Sequence, residues 1–364
     1  MIYFCYFLFF FLAIRLVVSL INYLSFHYLP KKAVLKQNQL VSILIPARNE
    51  EQNIIGLLKQ LNDFSYSNFE VLIYDDNSTD NTSTLVSDFC GSHDKFYFLK
   101  GGELSEGWLG KNHACHKLSI QAKGEILLFL DADVRVEDGL IERSLTYMEQ
   151  NKLHLLSIFP KQIFESLGEK ISVPLMNWIL LSLLPLLFIR NTNNPAFAAA
   201  NGQFMMFRTD TYNKYFPHKL FRMNAVEDIA IIKHFKKLGL PSDTLLGNHF
   251  IKCRMYSSAA ESIEGFTKNI FMFFGDSATI TILVASVLSI APIVIFAKLG
   301  VVFGICYLGG IIFIRVFVSL ASKQSSIQNV FLLIPQHIVF LLIIIKRLSS
   351  RKNKELKWKG RVIS

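Results

Sequence analysis

A run of apolar residues leads directly into two carboxylates at residues 127–133, which read LLFLDAD. Such a run is typical of a strand that is buried on both faces of a sheet. Acids that follow such a strand lie at the carboxyl edge of an open α/β sheet, where ligands bind. Residues i and i+2 of an extended chain point the same way, so Asp131 and Asp133 can converge on one cation. We therefore predict that they hold Mg²⁺ or Mn²⁺ together with water and phosphate. A polar turn after a strand is the alternative.

The composition indicates a soluble domain joined to membrane segments. Of the 364 residues, 51% are hydrophobic and 18% are charged, and the formal net charge is +10. A soluble domain of roughly 230 residues with several membrane segments accounts for this balance. Much of the basic excess lies beside apolar runs, which favours a membrane surface and argues against a nucleic-acid partner. The five cysteines show no paired spacing, so neither a disulfide framework nor a cysteine zinc site is indicated.

The N-terminal segment, residues 1–28, is almost continuously apolar and long enough to span a bilayer. It lacks the basic start and the small-residue cleavage site of a signal peptide, so we predict that it is a transmembrane anchor. Lys31, Lys32 and Lys36 follow it. By the positive-inside rule, they place the next domain on the cytoplasmic face of the inner membrane. Arg15 lies within the anchor and faces either other helices or the membrane interface.

Further apolar segments follow the predicted soluble domain. Residues 277–345 contain three runs, and the basic tail of residues 346–364 favours a cytoplasmic end. Three full spans after a cytoplasmic domain would instead place the tail outside the cell. Either one run is re-entrant, or residues 171–189 cross the membrane, or the tail is outside. We interpret residues 171–189 as interfacial or re-entrant because Pro174 and Pro185 interrupt them. Residues 259–276 form an amphipathic helix that lies either in the headgroup plane or against the soluble domain.

Apolar strands and amphipathic helices alternate along residues 38–258. The strands begin near residues 40, 69, 96 and 125, and helix spacing fills the intervals between them. This alternation predicts a doubly wound, mostly parallel α/β sheet, with membrane helices at both ends of the chain.

Four motifs in this region, in this order, resemble the family 2 glycosyltransferases with the GT-A fold. The first, with Pro46, Ala47, Arg48 and Glu50, resembles the first-strand nucleotide-sugar signature of that family. The others are residues 75–80 (DDNSTD), the Asp-Ala-Asp of residues 131–133 and the Glu227-Asp228 pair.

The resemblance implies a role for each motif. The first-strand motif and Asp76 would bind the donor, with Asp76 at the nucleotide base. Asp131 and Asp133 would hold the metal and the diphosphate, and Asp228, beside Glu227, would be the base of an inverting transfer. A metal clamp would stabilise the diphosphate leaving group while a carboxylate removes the proton of the acceptor hydroxyl.

A narrower resemblance joins the chain to the membrane-bound branch that glycosylates lipids, including ceramide, hopanoid and carotenoid-acid transferases. It rests on residues 107–111 (GWLGK), 202–203, 254–256 and 358–361. It implies that Lys111 binds the donor diphosphate and that Arg254 binds either the diphosphate or a lipid headgroup. It also implies that Gln203, Tyr256 and Trp358 contact the acceptor. Each has a structural alternative, such as a strand-end salt bridge for Arg254.

The resemblance implies a membrane-bound inverting hexosyltransferase that uses a nucleotide diphosphate sugar and a lipid acceptor. The alternative is a processive exopolysaccharide synthase. The processive branch carries a Q-x-x-R-W motif, whereas residues 253–257 read CRMYS without the tryptophan. A membrane scaffold with an inactive nucleotide-sugar domain is a third reading, and the intact acids argue against it.

Overall fold

Three sheets are present in the computed structural model, which describes residues 2–25, 27–35, 37–350, 357–358 and 361–362. Seven strands form the main sheet, three form a small sheet beside it and two form a C-terminal hairpin. In chain order the strands are β1 Val41–Ala47, β2 Phe69–Asp75, β3 Phe96–Lys100, β4 Ile126–Leu130, β5 Val134–Val136, β6 Leu155–Phe159, β7 Lys161–Gln162, β8 Phe204–Arg208, β9 Ser242–Leu246, β10 Ile251–Cys253, β11 Lys357–Trp358 and β12 Arg361–Val362.

The main sheet has the order β3-β2-β1-β4-β8-β6-β9. Strands β3, β2, β1 and β4 are mutually parallel, as are β6 and β9, whereas β8 is antiparallel to both β4 and β6. The predicted mostly parallel α/β sheet is therefore confirmed. Because Phe204 opens β8 opposite Leu130 at the end of β4, residues just before β8 lie at the ligand-binding edge.

Strand β9 has no counterpart in the sequence prediction. It reads SDTLL, and all five residues are buried, although the first three are polar. The Asp243 carboxylate accepts a hydrogen bond of 2.7 Å from the Tyr147 hydroxyl and lies 3.8 Å from Arg190. Since these partners come from distant parts of the chain, the apolar pattern on which strand prediction depends does not reveal this strand.

Helices cover both faces of the main sheet or pack beside the membrane-type segments. In chain order they are α1 Ile2–Leu24, α2 Ile54–Asn62, α3 Thr82–Cys90, α4 Gly110–Gln121, α5 Leu140–Gln150, α6 Leu167–Ser172, α7 Pro174–Leu183, α8 Leu187–Asn191, α9 Thr209–Tyr215, α10 Pro217–Leu220, α11 Glu227–Lys237, α12 Ala259–Asn269, a 3₁₀ turn Met272–Phe274, α13 Ala278–Leu299, α14 Val301–Ala321, α15 Ser326–Phe331 and α16 Leu333–Ser350.

Three helices among the described residues are long and apolar enough to cross a membrane: α1, α13 and α14. Helices α13 and α14 are separated only by Gly300, which has a φ of +84° and makes the tight turn of a helical hairpin. The third predicted C-terminal run is divided between α15 and α16. If only α1, α13 and α14 cross, the chain after α14 returns to the side of the sheet domain. The number of spans is then consistent with a cytoplasmic tail. Much of the tail, including Arg351, Lys352, Lys354 and Lys359, lies outside the described residues, as does Lys36.

The segment predicted to be interfacial or re-entrant, residues 171–189, is not one continuous helix. Helix α7 spans 10 residues and ends before Pro185, so it is too short to cross a bilayer. The amphipathic segment 259–276 forms α12 and the 3₁₀ turn, and its buried Phe266 and Thr267 face the rest of the chain. Helix α12 packs against α6 and α16. Placement of either segment at the headgroup level remains a prediction.

Helix α7 is attached to two candidate spans by polar side chains. Asn22 of α1 donates to the carbonyls of Leu181 and Leu184 at 2.9 and 2.8 Å. Its Oδ1 accepts from the Leu186 amide at 2.8 Å. Because Asn22 satisfies three backbone groups where α7 ends, it fixes the end of that helix against α1.

The ring of Trp178, on α7, lies between two buried arginines. The guanidinium carbon of Arg15 is 5.1 Å from the ring centre, and that of Arg315, on α14, is 4.2 Å from it. Arg15 also donates to the Ser182 hydroxyl at 2.9 Å. The role of Arg15, which the sequence leaves open, is therefore to hold α7 through cation–π and hydrogen-bond contacts.

Candidate active site

The candidate site lies where several chain segments meet at the carboxyl edge of the main sheet. Strand β1 ends in Pro46-Ala47-Arg48, and β4 leads into Asp131 and Asp133. The antiparallel direction of β8 brings Gly202 and Gln203 to the same edge. One cavity of about 870 Å³ contains these residues together with the beginning of α11. The sheet topology thus brings together groups that are far apart in the sequence.

Most of the site residues predicted from the sequence line this cavity. They are Pro46, Ala47, Arg48, Glu50, Asp76, Lys111, Asp131, Asp133, Gln203, Glu227, Asp228 and Tyr256.

Lys111 lies among the acids of the cavity. Its Nζ is 2.9 Å from each carboxylate oxygen of Asp131 and 3.4 Å from Oε1 of Glu227. Burial disfavours the charged form of Lys111, but the two carboxylates outweigh that effect and hold its pKa well above the usual range. A protonated Lys111 therefore offsets part of the negative charge of the acidic cluster.

The carboxylate of Asp133 is held by the side-chain amide of Gln203. Nε2 of Gln203 donates to the two Asp133 carboxylate oxygens at 3.3 and 3.2 Å, and it lies 2.8 Å from Sγ of Cys253. Burial, followed by the charges of Asp131 and Glu50, raises the pKa of Asp133 to about 7. Oε1 of Gln203 is buried without a hydrogen-bond partner among the described residues. Gln203 thus orients one predicted metal ligand and keeps one oxygen available to a ligand.

Asp228 is positioned by two backbone amides at the start of α11. Its carboxylate accepts from the Gly202 amide at 3.0 Å and from the Ile229 amide at 2.7 Å. Burial, followed by the charge of Glu227, raises the pKa of Asp228 to about 7. A Cβ at Gly202 would lie 2.9 Å from Nζ of Lys111 and 3.3 Å from Oε1 of Glu227, so a larger residue here would push the Lys111 ammonium group aside.

The first-strand motif and the acidic loop after β2 are joined by backbone contacts. Arg48 donates from Nη1 to the carbonyls of Asp76 and Asn77, at 2.6 and 2.9 Å. The Asp76 amide donates to the Ala47 carbonyl at 2.8 Å. Arg48 therefore organises the loop that carries Asp76, and both residues line the cavity.

The same cavity is also lined by apolar side chains. Most of them come from the helix α7 and from a chain segment rich in alanine. These residues, with neighbours from β6 and α12, include Phe159, Met176, Ile179, Leu180, Leu183, Ala196, Ala198, Ala199, Ala200 and Phe266. None of them was predicted as a site residue. The prolines around α7 and the repeated alanines at residues 198–200 were the available signals, but neither indicates a binding surface by itself.

Arg254, which was predicted to bind the donor diphosphate, pairs with acids in this structure. It does not line the cavity that holds the other predicted donor residues; its guanidinium lies 2.7 Å from Glu165 and 2.9 Å from Glu169. Glu169 is fully buried, and burial opposes its ionisation. Hydrogen bonds from Arg254, from the Glu165 amide and from Ser166 outweigh burial and lower the pKa of Glu169 to about 2. The structure thus contains the strand-end salt bridge that was the alternative role of Arg254.

The two other predicted acceptor residues differ in how they are placed. Tyr256 lines the cavity and packs edge-on against Phe266, with 5.4 Å between ring centres. Gly265 lies under its ring, in a position that a Cβ would block. The backbone of Trp358 lies in the β11–β12 hairpin, whereas its side chain is outside the described residues.

The carboxylates fit a divalent cation only with help from a bound donor. No group of three or more His, Cys, Asp or Glu side chains within the described ranges is arranged to hold a metal ion. Mg²⁺ is commonly held by one or two carboxylates together with substrate phosphates and water. Asp131, Asp133 and the unpartnered Oε1 of Gln203 provide oxygen atoms of the required kind.

Comparison with known proteins agrees with the geometry. The family model of glycosyl transferase family 2 matches residues 42–216. The chain is 28% identical over 250 residues to 4,4'-diaponeurosporenoate glycosyltransferase of Staphylococcus haemolyticus (strain JCSC1435), covering 66% of this chain and 63% of that protein. It is 25% identical over 308 residues to the protein of the same name from Staphylococcus aureus (strain USA300), covering 83% of this chain and 75% of that one. The chain thus spans less than two thirds of the S. haemolyticus relative.

A solved structure shares the fold over nearly the whole chain. It is the mannosyltransferase PcManGT from Pyrobaculum calidifontis, in complex with GDP-Man and Mn²⁺, with a TM-score of 0.54 and 14% sequence identity. The match covers 93% of this chain and 99% of that one, and at this identity it shows the fold alone. Residues 42–216 therefore match the glycosyl transferase family 2 domain, and the chain has the GT-A fold.

Proposed function

We propose that this protein is a membrane-bound, inverting glycosyltransferase that moves one sugar from a nucleotide diphosphate sugar to a lipid-type acceptor. The observation that carries the proposal is that Asp131, Asp133 and Asp228 share one cavity with an apolar compartment. A cavity lined both by charged groups and by aliphatic side chains suits a phosphorylated donor and an apolar acceptor.

On the donor side, Arg48 and Asp76 would contact the nucleotide, because the loop that carries them lines the polar end of the cavity. Asp131 and Asp133 would hold Mg²⁺ or Mn²⁺ together with the diphosphate. Such an ion, when bound, would neutralise charge that develops on the leaving diphosphate. Lys111 would release part of its contact with Asp131 and bind a phosphate oxygen, since its ammonium group already lies beside the predicted metal ligands.

On the acceptor side, Asp228 would remove the proton of an acceptor hydroxyl as the hydroxyl oxygen attacks the anomeric carbon. The pKa of Asp228, raised to about 7, suits a base that operates near neutral pH. A single base is sufficient for an inverting displacement, in which the diphosphate leaves from the opposite face. The unpartnered Oε1 of Gln203 would accept a hydrogen bond from a sugar or acceptor hydroxyl.

The acceptor would lie with its apolar chain between α7 and the alanine-rich segment 196–200. Helix α7 is held by α1 and α14, which are candidate membrane spans, so this wall is adjacent to the region from which a lipid would enter. The staphylococcal relatives are named for 4,4'-diaponeurosporenoate, which is a carboxylate. A carboxylate acceptor is already ionised at neutral pH and does not depend on Asp228 as a base.

The arrangement in the membrane is part of the proposal. With α1, α13 and α14 as spans, the sheet domain and the start of α15 lie on the same side. The basic residues that follow α1 and end α16 favour the cytoplasmic face of the inner membrane.

The deciding experiment uses the full chain in membranes, incubated with labelled nucleotide diphosphate sugars and a lipid extract. Asp133→Asn and Asp228→Asn remove one charge each at nearly constant size. We expect Asp133→Asn to abolish transfer of label to lipid, and Asp228→Asn to abolish it for hydroxyl acceptors. Unchanged transfer in both variants would refute the mechanism. A ladder of products carrying several sugars would instead support the processive alternative.

A further inference from the structure

A second cavity, of about 980 Å³, lies beside the candidate active site and is bordered by four basic side chains. Lys219 and Arg222 come from the segment between α9 and α11, Lys268 from α12 and Arg347 from the last turn of α16. No Asp or Glu is among the described residues that line it. Among these four side chains, Lys268 has an acid close by, Glu264, whose Oε1 lies 3.8 Å from its Nζ. This concentration of positive charge on three separate segments suits an anionic group.

The cavity is close to the expected membrane surface. Met272, which borders it, precedes the first residue of the candidate span α13, Ala278, by only six positions (278 − 272). Two apolar side chains of the same rim are largely exposed, with relative accessibilities of 54% for Leu220 and 61% for Met223. Basic groups beside exposed aliphatic side chains are typical of a surface that contacts headgroups and the upper acyl region together.

The segment that carries Lys219 and Arg222 is joined to the candidate active site by hydrogen bonds. The side-chain amide of Asn112, on α4, donates to the carbonyls of Phe221, Arg222 and Asn224 at 3.0, 3.2 and 3.0 Å. Asn112 lines the active-site cavity, and only two residues separate Asn224 from Glu227. A group bound to Lys219 and Arg222 would therefore lie next to the loop that presents the proposed base.

We propose that this basic cavity binds the phosphate headgroup of an anionic membrane phospholipid. Charge complementarity and the position just before α13 favour a bilayer lipid over a soluble anion. The headgroup would contact Lys219, Arg222 and Arg347, while Leu220 and Met223 would enter the acyl region. Such a lipid would seat the α9–α11 segment on the membrane at the entrance used by the acceptor. The inference rests on the proposed membrane-bound function for its placement, but its binding test does not require transferase activity.

The test uses the full chain in nanodiscs made of phosphatidylcholine alone or with phosphatidylglycerol at a molar share of about 30%. Native mass spectrometry after release from the discs counts phosphatidylglycerol molecules retained per protein. The variant is Lys219→Gln with Arg222→Gln, and neither residue lines the active-site cavity. The matched control is Lys59→Gln with Lys152→Gln, which removes the same charge from exposed positions elsewhere.

We expect the wild-type chain and the control to retain phosphatidylglycerol, and the Lys219/Arg222 variant to retain several-fold less. Equal retention by all three proteins would overturn the proposal. Preserved thermal unfolding and nucleotide-sugar binding would show that the variant is folded. In discs with phosphatidylglycerol, the acceptor KM of the variant should be higher than that of the wild type. It should equal the acceptor KM that the variant has in discs of phosphatidylcholine alone.

Two further outcomes would count against the lipid. If inorganic phosphate binds the site as well as phosphatidylglycerol does, the cavity binds free anions. If the variant raises the acceptor KM to the same extent in discs of phosphatidylcholine alone, the basic side chains bind the acceptor itself. Absence of any transferase activity would refute the proposed function, whereas the retention measurement would still decide this inference.

Discussion

The Nζ atom of Lys111 lies 2.9 Å from both carboxylate oxygens of Asp131. Asp131 is also the residue proposed to hold a metal and the donor diphosphate. A lysine in this position neutralises the acidic cluster before the donor arrives and can move by a short distance to meet a phosphate.

Replacing Lys111 by glutamine should lower kcat/KM by about 10²-fold or more, because a partly buried cation that meets developing phosphate charge is lost. Asp131 and Glu227 would also repel each other, so the midpoint of thermal unfolding should fall. Steady-state transfer assays and thermal scans measure the two effects. Lys117→Gln, which is exposed on the same helix, is the control. Activity close to that of the wild type would show that Lys111 only balances charge.

For a hydroxyl acceptor, kcat should fall as the pH is lowered through the Asp228 pKa of about 7. The ionised carboxylate is the active form of the base, and lowering the pH from 8 to 6 decreases its fraction about tenfold. For a carboxylate acceptor, the nucleophile remains ionised over this range, and the profile should be nearly flat. The pH dependence of kcat, measured with Asp228→Asn in parallel, therefore identifies the acceptor class. A steep profile that survives in Asp228→Asn would assign the titration to another group.

Gly202→Ala should impair transfer by roughly tenfold, because the added Cβ would displace the Lys111 ammonium group and crowd Glu227. Gly102→Ala is the matched control, since a Cβ there would meet no atom within 4 Å. Comparing kcat/KM for the two variants isolates the close approach at residue 202. Equal values would mean that Lys111 can adjust without loss of function.

Arg254→Ala should lower the midpoint of thermal unfolding and leave the donor KM unchanged. The physical reason is that Arg254 forms ion pairs with Glu165 and with the buried Glu169, away from the cavity. The hydrogen-bonded Glu169, with a pKa lowered to about 2, stabilises the fold above its unfolded pKa of about 4.3. That stabilisation is lost as the pH falls from about 4.3 toward 2, and the acid-unfolding curve should show it. A raised donor KM would instead restore Arg254 to the donor site.

Asn22→Leu should raise the acceptor KM without changing the donor KM. The substitution removes three hydrogen bonds that fix the end of α7, a loss of about 2 kcal/mol if each contributes the average found between membrane helices. Because α7 is a wall of the apolar compartment, its displacement should affect the acceptor first. Val17→Leu, at an exposed position on the same helix, provides the comparison. An unchanged acceptor KM would separate α7 from acceptor binding.

The sequence was sufficient to predict the elements that depend on local patterns. Apolar strands such as β1 and β4 indicate a parallel sheet, because a strand buried on both faces needs continuous apolar residues. The apolar segments that form α1, α13 and α14 are recognisable by length and composition. The order of the acidic motifs was enough to indicate the family, since each motif follows a strand end or begins a helix.

The tertiary structure decided which of the singled-out residues meet. Arg254 and Glu169 are 85 positions apart, and their pairing depends on how the chain just after β10 lies relative to α6. The antiparallel direction of β8 turns Gln203 toward Asp133. The contacts of α7 with Asn22, and of its Trp178 with Arg15 and Arg315, create the apolar compartment. Local periodicity predicts helices and strands because it reflects neighbouring residues. Contacts between distant segments depend instead on the packing of the whole chain, and this packing places Lys111 beside Asp131.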